Sequence, residues 1–129
     1  MTQEDLWGEM PEIESLKTPL LILKEQSEIL QEKTKGMLVG QITLKQSGTT
    51  FMYVFSIVAP TLNNYTYQLL SVRHDLGFYP ITLWDAQNNG TAIQCSNEDE
   101  YKKGLSSIFS TEKNRTAISK LLTHISSTD

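Results

Sequence analysis

Cysteine is nearly missing from this chain: Cys95 is the only one in 129 residues, so no disulfide can close within it. That fits a reducing compartment. A long hydrophobic run is missing too. The longest, Phe51 to Ala59, is interrupted at Ser56 and is less than half the length a membrane helix needs. The first five residues, Met1 to Asp5, have no basic n-region and lead into no apolar stretch, so no secretory signal is read there. These absences together predict a cytoplasmic protein.

Charge is also scarce where it would be most useful for nucleic acid. Residues 37–95 carry only Lys45, Arg73, Asp75 and Asp85, a net of zero. Residues 96–129 carry five charges of each sign, while residues 1–36 carry eight acids against four bases, so the whole net of −4 lies in the N-terminal part. An acidic chain with no basic stripe argues against nucleic acid and against anionic membrane surfaces as partners.

What is present reads as an ordinary globular composition, 39% hydrophobic and 20% charged. At this length one domain, 1–129, is expected, able to bury roughly two-thirds of its unfolded surface. Residues 1–16 stand apart as a short helix or an arm. Thr2 and Asp5 resemble an N-terminal cap, and Leu6, Met10 and Ile13 recur at helical spacing, but Pro11 interrupts them. Thr18–Pro19 then opens an amphipathic helix of about 17 residues, with a stripe through Leu16, Leu20, Leu23, Ser27 and Leu30, closed by Gly36. From Met37 the period becomes two. Strands are predicted at 37–46, 50–58, 65–74, 78–85 and 91–95, joined by Ser47–Gly48–Thr49, the loop 59–64, Asp75–Leu76–Gly77 and Asn88–Asn89–Gly90. Residues 50–58 are apolar on both faces, so a central strand is expected there, and Pro80 sets its strand near an edge or delays its start. The helical period returns with a cap at Asn97 with Glu100, for which Ser96 with Asp99 competes, and a stripe through Tyr101, Leu105, Ile108 and Phe109. Ser110–Thr111 recaps a last helix buried through Ile118, Leu121, Leu122 and Ile125. The class is α+β: N-terminal helices, a five-stranded antiparallel meander over about 37–95, and two C-terminal helices.

Catalytic signatures are missing. No phosphate-cradling glycine motif, nucleophile elbow or H-E-x-x-H pair occurs, and one Cys with two His cannot assemble the usual structural zinc site. His74 beside Asp75 reads as a polar strand end, His124 as a solvent-facing helix end, Cys95 as a small buried apolar side chain, and Glu98–Asp99–Glu100 as carboxylates offsetting a helix dipole. No enzyme, catalytic residue, metal or cofactor is expected.

Two features are left over. The sheet offers a neutral polar set, Thr43, Ser56, Thr66, Gln68, Thr82 and Gln94, with Tyr53, Tyr65, Tyr67, Tyr79 and Trp84 as amphipathic aromatics. A free wet face usually carries Lys and Glu, so this one suggests a covered or partner-binding surface. The segment Glu4 to Met10 sets Trp7 among acids, either as a lid on the core or as an anchor for a partner. The sequence thus predicts a non-catalytic interaction module (adaptor, chaperone or inhibitor/immunity type) that takes a protein partner, itself in a homodimer, or both. Its contacts would be Trp7, Tyr53, Tyr65, Tyr67, Gln68 and Trp84, and a negative helical face would steer the partner. The alternative is a small-molecule-binding domain with an apolar pocket between sheet and helix, lined by Tyr53, Tyr67 and Trp84.

Overall fold

In this computed structural model residues 3–128 are described, and their order runs α1 (Pro19–Lys33), β1 (Val39–Ser47), β2 (Thr50–Ala59), a 3-10 turn (Pro60–Leu62), β3 (Tyr65–His74), β4 (Ile81–Asp85), β5 (Ala92–Cys95), α2 (Glu98–Phe109) and α3 (Glu112–Ser127). The strands form one antiparallel sheet in the order β1-β2-β3-β4-β5. Among the described residues this is an α+β meander with one helix before the sheet and two after it.

Local chemistry sets the element ends. Thr18 caps α1, its Oγ1 accepting from the Leu21 N–H at 3.1 Å, and Pro19 fills the first turn where no N–H is needed. At the other end Lys35 and Gly36 both take left-handed backbone (φ 53° and 82°), and the Gly36 N–H donates to the Gln31 carbonyl. The β1–β2 hairpin turns on Gly48 at φ 60°, and Asn89–Gly90 before β5 are both at positive φ, as a type I′ turn demands. Asn97 caps α2 through the Glu100 N–H, and the Glu100 carboxylate accepts from the Ser96 N–H one residue ahead of the cap.

Two expectations need correcting. No helix forms between residues 3 and 18. Thr2 lies outside the described residues, Gly8 sits at φ 68°, and the Asp5 carboxylate accepts from the Trp7 N–H, a local turn that competes with the helix. Of the two readings of Pro80 the delayed start holds: its strand begins after the proline, at Ile81, between β3 and β5. β2 is interior but second from one edge, the middle strand being β3.

β3 also breaks its own alternation. Phe55 pairs with Leu70 and Ser56 with Gln68, leaving Leu69 as the extra residue of a bulge. Tyr67 and Leu69 before the bulge, and Leu70, Val72 and His74 after it, therefore serve the same side of the sheet. That side is the core. Ile22 and Leu23 of α1, Phe55 and Ile57 of β2, Leu83 of β4, and Tyr101, Leu105 and Ile108 of α2 are all buried there. Two glycines allow close approach: a Cβ on Gly40 would lie 2.6 Å from Ser27 Oγ, and one on Gly104 would lie 2.7 Å from Leu83 Cδ1. The Tyr101 hydroxyl reaches the Pro19 carbonyl at 3.0 Å and ties α2 to the start of α1.

Candidate functional site

The sheet has one uncovered face, and the register says which residues build it. Cross-strand partners share a side, so Gln41–Ser56–Gln68, Thr43–Val54–Ser71–Trp84, Lys45–Met52–Arg73–Thr82–Gln94 and Val58–Thr66 lie together opposite the helices. All six residues of the neutral polar set are on this face. Its charges are Lys45 and Arg73, and no acid stands among its paired residues. The Arg73 guanidinium lies over the Trp84 ring at 5.2 Å, a cation–π contact between neighbouring strands. Arg73 was not foreseen as part of the surface. Its signal was the lone cation of β3 alternating in step with Ser71.

Trp84 and Gln68 belong to that face, but the expected tyrosines do not join it. Tyr53 is 6% exposed on the core side, its hydroxyl 2.9 Å from His74 Nε2. It offers nothing to a partner, because strand alternation sets it with Phe55 and Ile57. Tyr67 is half-buried on the same side and donates to Asn114 Oδ1 at 2.9 Å. Burial raises the Tyr53 and Tyr67 phenols above their ordinary range, and the Asp85 carboxylate adds to the effect at Tyr67. Tyr65 is exposed at the start of β3, and Gln68 is exposed on the open face. Tyr53 and Tyr67 are thus separated by the sheet from Trp84, and the three do not line one pocket.

His74 is buried rather than a free strand end. Its Nδ1 lies 2.6 Å from the Asp75 carbonyl oxygen, which can only accept, so Nδ1 carries the proton and Nε2 accepts from the Tyr53 hydroxyl. Phe51 stacks on the ring at 5.4 Å. The Asp75 carboxylate meets Thr50 Oγ1 instead, so the two side chains do not form an acid–base pair. Cys95 is fully buried, and burial first, then Glu100, pushes its thiol up, away from an activated nucleophile. Among the described residues no group of three or more His, Cys, Asp or Glu side chains could hold a metal ion.

Two features on the helix side are more distinctive. Between α1 and α3, over the bulged part of the sheet, runs a groove of about 690 Å³ whose apolar lining includes Ile29, Leu30, Phe55, Phe109, Ile118 and Leu122. Among the described residues its charged ones are Lys33 and Arg115, and no acid lines it. A second groove of about 600 Å³ shares Gln26, Phe109 and Arg115 with it and reaches Lys17, where the arm joins α1. The pocket expected between sheet and helix is therefore a groove, with a lining that contains none of Tyr53, Tyr67 and Trp84.

The second feature is the arm. Leu6, Trp7, Met10 and Ile13 are 84, 82, 66 and 98% exposed. Residues 3–17 also hold five acids (Glu4, Asp5, Glu9, Glu12, Glu14) against Lys17. The three helices hold seven acids and seven bases, so the negative charge sits on the arm and not on a helical face.

Among the described residues no helix is long and apolar enough to cross a membrane. No family model matches the chain, and neither a curated protein nor a solved structure is significantly similar to it.

Proposed function

We propose that this chain is a non-catalytic protein-interaction module of the adaptor, chaperone or inhibitor/immunity type, with the arm as its docking element. The observation that carries the reading is the exposure of Leu6, Trp7, Met10 and Ile13 in one acidic segment. Contiguous apolar exposure of this kind marks interaction sites. Burying one such side chain contributes roughly 1.5–3 kcal/mol, so Trp7 with one aliphatic neighbour supplies the core of a useful affinity. The acids around it select a partner site with a basic rim and disfavour phosphate-rich ligands and anionic membranes.

The open sheet face is the second surface of this reading. Its charges are Lys45 and Arg73, so it suits a neutral or acidic partner surface, with Trp84 and Gln68 as contacts. A cytoplasmic setting goes with the proposal, since the lone Cys95 thiol needs no oxidising compartment.

The test compares wild type with the double variant Leu6→Ala/Trp7→Ala, each purified from the native host after cross-linking. The variant should lose stoichiometric cross-linked species while keeping wild-type melting behaviour. If it retains the same species in the same yield, the arm is not the docking element.

A further inference from the structure

The groove between α1 and α3 and the arm complement each other in two independent properties. The groove floor is apolar, built from Ile29, Leu30, Phe55, Phe109, Ile118 and Leu122, and its charges are the cations Lys33 and Arg115. The arm is apolar through Leu6, Trp7, Met10, Ile13 and Leu16, and otherwise acidic.

We infer that the groove binds the arm of a second copy of this chain, so that two copies exchange arms reciprocally into a closed homodimer. This rests on the reading of the arm as a docking element and names its partner. A twofold exchange uses the same pair of surfaces twice, which is how most soluble homo-oligomers close.

Exchange between copies is favoured over folding back because the arm stands clear of its own groove. Leu6, Trp7, Met10 and Ile13 are 66 to 98% exposed, and none of them lines it. Area also favours the pair: an aromatic the size of Trp7 buries roughly 150–250 Å². Two arms with five large apolar side chains each reach the scale of about 1,200 Å² at which specific interfaces begin.

The experiment is multi-angle light scattering of the full chain across a concentration series, read with charge reversal. Wild type should be dimeric at micromolar concentration. Lys33→Glu/Arg115→Glu should weaken dimerisation by about tenfold or more, since like charges then face the arm. Adding Glu9→Lys/Glu12→Lys should restore it. Both groove positions are exposed, and circular dichroism checks that each variant folds. An Ile13→Cys chain mixed with a Ser119→Cys chain should form a disulfide between copies, whereas the doubly substituted chain at high dilution should form none within itself. A monomer at all concentrations overturns the inference, as do a dimer indifferent to both charge sets and an efficient intramolecular disulfide. If the chain is monomeric yet holds a different protein through Trp7, arm exchange fails and the module reading stands. If Leu6→Ala/Trp7→Ala changes no association of any kind, both fail.

Discussion

Replacing Gly40 with alanine tests how α1 is seated on the sheet. Gly40 faces α1 from β1, and its carbonyl accepts from Ser27 Oγ at 2.9 Å. A methyl group there would stand 2.6 Å from Ser27 Oγ, 2.8 Å from its Cβ and 3.0 Å from its Cα. A rotamer change relieves only the first contact, because the other two atoms move only with the helix. Lifting α1 costs about 1–3 kcal/mol of overpacking, and losing the hydrogen bond adds about 1 kcal/mol. Reduced freedom of the unfolded chain returns about 0.4–1 kcal/mol. The net expectation is a loss of about 2 kcal/mol. With about 2.1 cal/mol/K of unfolding entropy per residue, a chain of 129 residues has about 270 cal/mol/K, so the melting point should fall by about 7 °C. The decisive assay is a double-mutant cycle by urea denaturation. Ser27→Ala removes only Oγ and should leave most of the Gly40→Ala loss in place. Ser27→Gly removes Cβ as well and should recover about 1 kcal/mol of coupling beyond its own helix penalty. Equal stability of Gly40→Ala and wild type, or equal rescue by both Ser27 variants, would refute the close approach.

Asn114→Leu should lower stability by about 1–3 kcal/mol, because its buried amide joins the Tyr67 hydroxyl to the Ile108 carbonyl; Tyr67→Phe in that background should then be nearly free of cost, as chemical denaturation can show. Tyr101→Phe should cost about 1 kcal/mol through its lost bond to Pro19, whereas Tyr79→Phe should be neutral or slightly stabilising, because the buried Tyr79 hydroxyl has no partner. Tyr53, Tyr67, Tyr79, Tyr101 and Cys95 all have raised pKa values when folded, chiefly from burial. Below their unfolded values both states keep these protons and stability is unaffected by them. Above those values, about 8.5 for the thiol and about 10 for the phenols, the unfolded state loses protons first and stability falls. Melting points should therefore drop from pH 8 to pH 10.5, and Tyr101→Phe should flatten that slope. Leu6→Ala/Trp7→Ala should change the melting point of the monomeric chain by less than about 1 °C, since neither side chain packs on the core.

Most of the sheet was legible because its turns are chemically explicit. Gly48 and Asn89–Gly90 fixed two connections, and period-two patterning fixed β1 to β3 to within two residues. Of the two readings of the N-terminal segment, the helical one fails over residues 3–16: Leu6, Met10 and Ile13 have helical spacing, but spacing alone cannot weigh Gly8 and the Asp5 turn against it. The neutral face was read correctly as a set from strand parity. The aromatics were not, because the same parity carries Tyr53 and Tyr67 inward. The bulge at Leu69 has no local signature of glycine or proline; it shows only as two consecutive leucines where alternation expects one. The groove was invisible for a different reason. Arg115 and Ile29 line one groove only because α1 and α3 flank the same part of the sheet, which no local pattern encodes.

The division of charge between arm and domain has a consequence for handling and turnover. Residues 18–129 hold ten acids and ten bases, so a single cleavage beside Lys17 would release a peptide of net −4 and leave a body of net zero. Such a body has no long-range repulsion left to keep copies apart near neutral pH. The clipped chain should precipitate where the intact one stays in solution and should run more slowly toward the anode in a native gel. An arm buried in a partner would be shielded from that cut, so proteolytic nicking would report on occupancy as well as solubility.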